Sequence, residues 1–277
     1  MLSNSNSHTK LSYTVSLFIF FAFTAWWIYN QVALSPSDPS NALFSDTYWV
    51  LPLVGGAVGV WVAKQWGGFK SLFGKSILFF SFGLLAQVFG QVTYTYYARV
   101  QHIDAPYPSI GDIGYFGSVI LYIIAISLLA KTVGASLSRV GTFKRFIAVL
   151  LPAMLLAASY IVFLRDYTFD WSHPITVLLD LGYPLGQAMY VSLAILTYFL
   201  SRGLLGGIMK NKVILLLAAL LVQYSADYSF LFRFNRGTWY AGDFSDYLYL
   251  LAYILMIIAL LRFKAVVDKG KADKAVE

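Results

Sequence analysis

The chain has 277 residues, of which 59% are hydrophobic, 18% aromatic and only 12% charged. That is too apolar for a soluble domain, where charged residues make up about 25%. The formal charge of +7 does not indicate nucleic-acid binding, because the basic residues fall in short loops between apolar runs. Cysteine is absent, which removes disulfides, thiolate metal sites and cysteine nucleophiles.

Residues 1–10 are polar, and an apolar run follows from Leu11 to Trp27. This run is read as a retained helix and not as a secretory leader. No small-x-small cleavage site follows it, and it ends in Trp26, Trp27 and Tyr29, the aromatic belt of a membrane interface. A hydrocarbon core of ~30 Å takes roughly 20 helical residues to cross. On that length the sequence predicts eight spans, near 11–32, 47–64, 76–98, 113–131, 146–165, 175–200, 213–233 and 246–263. The fold class expected is therefore an all-α membrane protein. Span 2 carries Pro52 and three glycines, and its Gly55-x-x-x-Gly59 spacing reads as a close helix-packing face.

Lys and Arg fall 16 on one side of these spans and four (Arg99, Arg165, Arg233, Arg236) on the other. The positive-inside rule then places both termini in the cytoplasm of a cell-membrane protein. Outside the tail, every acid lies on or near the opposite, outer side.

A short pattern recurs on that outer side: an acid where a hydrophobic run begins, then an aromatic. Its copies are Asp46 with Tyr48, Asp112 with Tyr115, Asp180 with Tyr183 and Asp246 with Tyr249. The acids are separated by 66, 68 and 66 residues (46 to 112, 112 to 180, 180 to 246). So regular a period predicts a repeated unit, here an outgoing span, an outer loop and a returning span. Four hairpins, near 11–64, 76–131, 146–200 and 213–263, would make one domain over 1–263, with a short cytoplasmic tail at 264–277.

Arg99, Arg165 and Arg233 precede Asp112, Asp180 and Asp246 by 13, 15 and 13 residues, so a hairpin is expected to bring each Arg back beside its acid. An Asp opening a helix is also a good cap, worth ~0.5–2 kcal/mol. The functional reading is that several of these acids line one outward-facing polar cavity between hairpins. Asp227 differs in lying within span 7, where a carboxylate is costly and marks a candidate functional position. Gln223 and Asp227 are four apart, as are Gln87 and Gln91, so each pair projects from one helix face. Tyrosines, 20 in all, cluster toward the outer ends as interface belt or as the floor of a cavity. Pro184, shortly after Asp180, is expected to kink span 6 and free a carbonyl.

The three histidines, His8, His102 and His173, all lie outside the spans, which speaks against haem or buried zinc. No Lys sits mid-span for a Schiff base, and neither a phosphate-binding Gly-Lys loop nor a Gly-x-Ser-x-Gly elbow occurs. No cofactor, metal or nucleic acid is expected, and an enzyme is the weaker reading.

The segment Ala105-Pro-Tyr-Pro-Ser-Ile-Gly-Asp112-Ile-Gly-Tyr115-Phe resembles the Pro-Phe/Tyr-Pro-Ser-x-Ala-Asp-x-x-Tyr-Leu segment of a family of multipass membrane domains. These precede cyclase and phosphodiesterase modules in some bacterial diguanylate cyclases and also stand alone. Gly90-Gln91 with Tyr94, Tyr96 and Tyr97 is similar to that family's Gly-Glu-aromatic stretch, with Gln91 in place of the acid. The resemblance covers mainly spans 3 and 4. It implies a sensory role without transferable catalytic residues, and this chain lacks the cyclase module.

The expectation is therefore an integral membrane ligand-binding or sensory protein. A small or amphipathic ligand would be held by Asp112, Asp180, Asp227, Asp246, Gln91, Tyr115 and Tyr183, and output would pass to a membrane or cytoplasmic partner protein. The alternatives left open are a transporter or channel component, a membrane-embedded lipid enzyme using an Asp pair, and a structural subunit.

Overall fold

In lipid a chain satisfies its own backbone only as helices or as a closed barrel, and helix is what forms. The structure, a computed structural model, describes residues 2–134, 141–165, 167–201 and 210–273. The described residues contain no strand. The elements are α1 (Leu2–Ala33), α2 (Pro39–Thr47), α3 (Val50–Gln65), α4 (Leu72–Tyr96), α5 (Ile110–Thr132), α6 (Thr142–Ser159), α7 (Pro174–Ser201), α8 (Lys210–Asn235) and α9 (Phe244–Asp273). Arg139, Arg202 and the end of the tail, which entered the charge distribution above, lie outside the described residues.

Among the described residues, six segments are long and apolar enough to cross a membrane: Thr9–Ala33, Pro39–Gln65, Leu72–Gln101, Ile110–Thr132, Lys210–Asn235 and Phe244–Val267. Two of the eight predicted spans are not among them. In α6 and the turn after it, the described apolar stretch is the shorter Pro152–Leu164. The 28-residue α7 is the other, with Asp180, Pro184 and Gln187 in its first half.

Several boundaries differ from expectation for local reasons. The second segment starts at Pro39, not near Asp46, because Asp38 accepts from the Ser40 N–H and Pro39 follows at the first helical position. Asp46 thus lies near the end of α2 and caps nothing. Asp180 likewise lies inside α7, six residues beyond its start at Pro174. Asp112 does open α5, where it forms a capping box with Ser109, and Asp246 sits in the first turn of α9. The segment expected as a short tail from residue 264 continues α9 as far as Asp273. Lys264 there is fully buried, its Nζ 5.0 Å from the centre of the Trp61 ring.

Contacts run α3–α4, α4–α5, α5–α7, α7–α8, α8–α9 and α9–α3, which closes a ring of six helices. Helix α1 lies outside it against α9, and α6 leans on α7. Small residues set the closest approaches. A Cβ on Gly114 of α5 would stand 2.4 Å from the Ala86 carbonyl and 2.6 Å from the Gly90 N–H nitrogen of α4. Gly55 and Gly59 are buried where α3 meets α4 and α9, against Leu84, Ser81, Ile257 and Leu260. The ring's interior is filled by Leu84, Ile126, Leu216, Ile257 and Leu260, with the rings of Tyr122 and Tyr190 between them.

The two ends of the bundle differ in charge. At one end Trp66 donates to the Phe263 carbonyl near Lys64 and Lys264. At the other lie Asp46 of α2, Asp112 of α5, Asp180 of α7 and Asp243 just before α9, each with its own donor; this is the acidic end.

Candidate functional site

Three polar assemblies lie in the acidic half of the bundle, and together they contain all seven candidate residues.

The first is in the ring's interior. Asp227, on α8, accepts from the Tyr190 hydroxyl of α7 and the Tyr249 hydroxyl of α9, each at 2.8 Å, and from Gln223 Nε2 at 3.4 Å. The carboxylate is buried, and these donors replace water around it. Close by, Gln87 donates to the Ser118 hydroxyl at 2.7 Å and accepts from the Tyr253 hydroxyl at 3.3 Å. Tyr249 stacks on Tyr253, which stacks in turn on Tyr48, with centroid distances of 6.3 Å at both steps.

The second assembly joins α4, α5, α2 and the start of α9. Tyr115 donates to Gln91 Oε1 at 2.6 Å, and Gln91 Nε2 donates to the Ser45 carbonyl at 2.7 Å. Tyr115 has this room because its ring lies flat on Gly90, where a Cβ would come within 2.8 Å of it. Asp246 accepts from the Gly242 N–H at 2.7 Å and from the Ser45 side chain. Gly242 has φ +82° and sits against the Asn41 backbone, so only glycine fits there.

The third assembly is at the edge of the ring, between α5 and α7. Tyr183 donates to Asp112 Oδ1 at 2.8 Å, while the Ser109 N–H holds Oδ2 at 2.7 Å. The exchange is reciprocal. Tyr107, in the loop before α5, donates to Asp180 Oδ1 on α7 at 2.6 Å, and Tyr167 donates to Oδ2 at 2.7 Å. Partial burial and the bond to Asp180 push the Tyr167 phenol up to about 12 and raise that of Tyr107 as well. Both therefore remain protonated donors at neutral pH. Pro184 has no N–H to give to the carbonyl four residues back, that of Asp180, so this residue also offers a backbone acceptor.

This third assembly faces a cleft of about 180 Å³ whose wall includes Tyr107, Tyr167, Asp180, Tyr183 and Pro184, completed by apolar residues and Asn235. A second cleft, about 330 Å³, adjoins it and shares Phe163 and Asn235. Phe163 belongs to a π-helical turn, Tyr160–Leu164, that ends α6. Such single turns are frequent at functional positions.

Of the seven predicted residues, then, Asp180 and Tyr183 line a cleft, and Asp112 sits directly behind Tyr183. Asp227 is in the interior assembly, while Gln91, Tyr115 and Asp246 belong to the second. No two of the four candidate carboxylates meet, since each has its own donors.

The arginine pairing differs from the expected one. Arg99 pairs with Asp46 of α2, at 2.5 Å, and not with Asp112. Arg233 pairs with the fully buried Asp243 at 3.0 Å, leaving Asp246 to the backbone. Arg165 forms no ion pair among the described residues. Tyrosine, not arginine, holds Asp112, Asp180 and Asp227. A phenol carries its donor at the tip of a rigid apolar ring, so it can reach a carboxylate between helices without a second buried charge.

Tyr107, Tyr167, Phe163 and Asn235 were not among the predicted site residues. The outer-end tyrosine cluster contained the first two, but nothing local distinguished them from interface belt.

Comparison with family models, with curated proteins and with solved structures gives no match to this chain.

Proposed function

We propose that this chain is an eight-span ligand-binding or sensory protein of the cell membrane, built of four helical hairpins with both termini cytoplasmic. The cleft at Asp180 receives a small or amphipathic ligand from the outer side. One observation carries the reading: a carboxylate held by two phenols from two different loops borders an open cleft, whereas the other three predicted carboxylates are sealed. Asp180 is thus preorganised and reachable at once.

Placement of the acids at one end and of Lys64, Lys70, Lys75 and Lys264 at the other supports the orientation. Close packing of α4 on α5 and α8 on α9 supports the hairpins. A ligand that displaces Tyr107 or Tyr167 shifts the loops tied to α5 and α7, and this is the movement a partner protein would read. The resemblance to sensory membrane domains agrees with that output.

The test is native mass spectrometry of the chain extracted from its own membranes in mild detergent. The wild type should carry a small-molecule adduct that the Tyr107→Phe/Tyr167→Phe variant loses while keeping its melting temperature within a few degrees. A wild type that is consistently bare, or an adduct indifferent to the variant, rejects the cleft as the site.

A further inference from the structure

The two adjoining clefts carry opposite charges, and neither charge has an ion-pair partner among the described residues. Asp180 accepts two phenolic hydrogen bonds but forms no ion pair among the described residues. A carboxylate offers about four acceptor positions, so two remain. In the neighbouring cleft the Arg236 guanidinium lies 4.0 Å from the centre of the Phe232 ring, and it too forms no ion pair among the described residues. Its planar fork is suited to the oxygens of a phosphate. Between the two charges lie Phe163 and Asn235, which line both clefts. The remaining wall of the second cleft is Ile161, Val162 and Phe232, all exposed at 59%, 41% and 36%. These belong to the end of α6 and to α8, a helix apolar enough to lie in a bilayer.

We infer that the joined clefts seat one zwitterionic phospholipid with a primary amine in its headgroup. Its phosphate lies at Arg236 and its ammonium at Asp180, with an acyl chain along Ile161, Val162 and Phe232. This rests on the Asp180 cleft being the binding site and names the class of its ligand. Only a ligand with both signs of charge compensates both residues. A glycerol headgroup leaves Asp180 beside an anion. A quaternary ammonium compensates the charge but has no N–H to give the free acceptor positions. The exposed aliphatic wall requires a chain, which a soluble phosphoamine lacks.

The test uses the full chain, delipidated in detergent and offered equal amounts of phosphatidylethanolamine, phosphatidylcholine and phosphatidylglycerol, with retained adducts read by native mass spectrometry. The ethanolamine lipid is expected to exceed each of the others about tenfold. Asp180→Asn should erase its advantage over the glycerol lipid without abolishing lipid retention. Arg236→Gln should lower retention of all three, and Arg236→Lys should restore part of it; Arg236 is exposed, so these changes leave the fold intact. Soluble phosphoethanolamine in hundredfold excess should not displace the lipid. Equal retention of the three lipids by the wild type overturns the inference, as does an Arg236→Gln variant that keeps them, or displacement by the soluble headgroup. If a different adduct from native membranes depends on Tyr107 and Tyr167 but not on Arg236, the Asp180 cleft survives as a site and only the lipid assignment fails.

Discussion

Asp227 and Asp180 are the same chemical object in two places. Each is a carboxylate accepting from two tyrosine hydroxyls of other segments, at 2.8 and 2.8 Å for Asp227 and at 2.6 and 2.7 Å for Asp180. Around Asp227 the donors come from α7 and α9, on both sides of α8, and the ring interior closes over them. Around Asp180 they come from loops, and one side is a cleft. What separates the two is access and not chemistry. A buried phenol–carboxylate set locks three helices together, while an edge set leaves acceptor positions open to a cleft.

The largest effect should therefore come from Asp227→Ala. Hydrogen bonds between membrane helices average only ~0.6 kcal/mol by double-mutant analysis. Truncation to alanine does more, because it strands two hydroxyls inside the ring, each at roughly 1–3 kcal/mol. Thermal or denaturant unfolding in detergent should show a loss of about 2–4 kcal/mol for Asp227→Ala, and less than about 1 kcal/mol for Asp180→Ala, whose phenols can turn to water. Equal losses would mean that the distinction between sealed and open carboxylates is wrong.

The same contrast appears in the packing of the backbone. A Cβ on Gly114 meets backbone atoms of α4 at 2.4 and 2.6 Å, whereas one on Gly186 of α7 meets only Val119 Cγ1, at 2.7 Å. Val119 can give way by small side-chain adjustments, but the α4 backbone moves only if the helices separate. Gly114→Ala should cost about 1–3 kcal/mol, within the range of overpacked cores. Gly186→Ala should cost under about 1 kcal/mol. Similar unfolding midpoints for the two variants would show that α5 sits no more tightly on α4 than on α7.

How much of this could be read from the sequence depends on how local each cause is. The helices were legible because hydrophobic run length is a local property, and so was Asp112, whose Ser109 partner is three residues away. Asp227 stood out as a carboxylate inside an apolar run. The start of α2 is also written locally, in Asp38-Pro39, although the regular spacing of the acids points to Asp46 instead. Partner choice was not legible. Arg99 reaches Asp46 across 53 positions, and Tyr107 reaches Asp180 across 73. These pairings are set by how helices lie side by side, which no spacing along the chain encodes. The cleft was hidden for the same reason, since its walls come from the end of α6, from α7, from the end of α8 and from the loops before α5 and α7.

The smallest effect concerns the loop that delivers Tyr167 to the open side. Asp170 accepts from the hydroxyl and the N–H of Ser172 and lies 3.0 Å from His173 Nδ1, forming a turn just before α7. These bonds, the Ser172 hydroxyl first and then His173, lower the Asp170 pKa from 3.8 to about 2. A folded-state pKa below the unfolded one means that the turn is stabilised above about pH 3.8, and that this support fades as pH falls toward 2. The group is fully exposed, so the gain is screened and too small to register in global unfolding beside the Asp227 and Gly114 effects. It should be visible locally, as an Asp170 carboxyl resonance titrating near pH 2 in the wild type and moving toward 3.8 in Ser172→Ala. A wild-type midpoint already at 3.8 would show the turn open in solution. Tyr167 would then reach Asp180 without help from its loop, and the edge carboxylate would be less preorganised than the pair of 2.6 and 2.7 Å bonds implies.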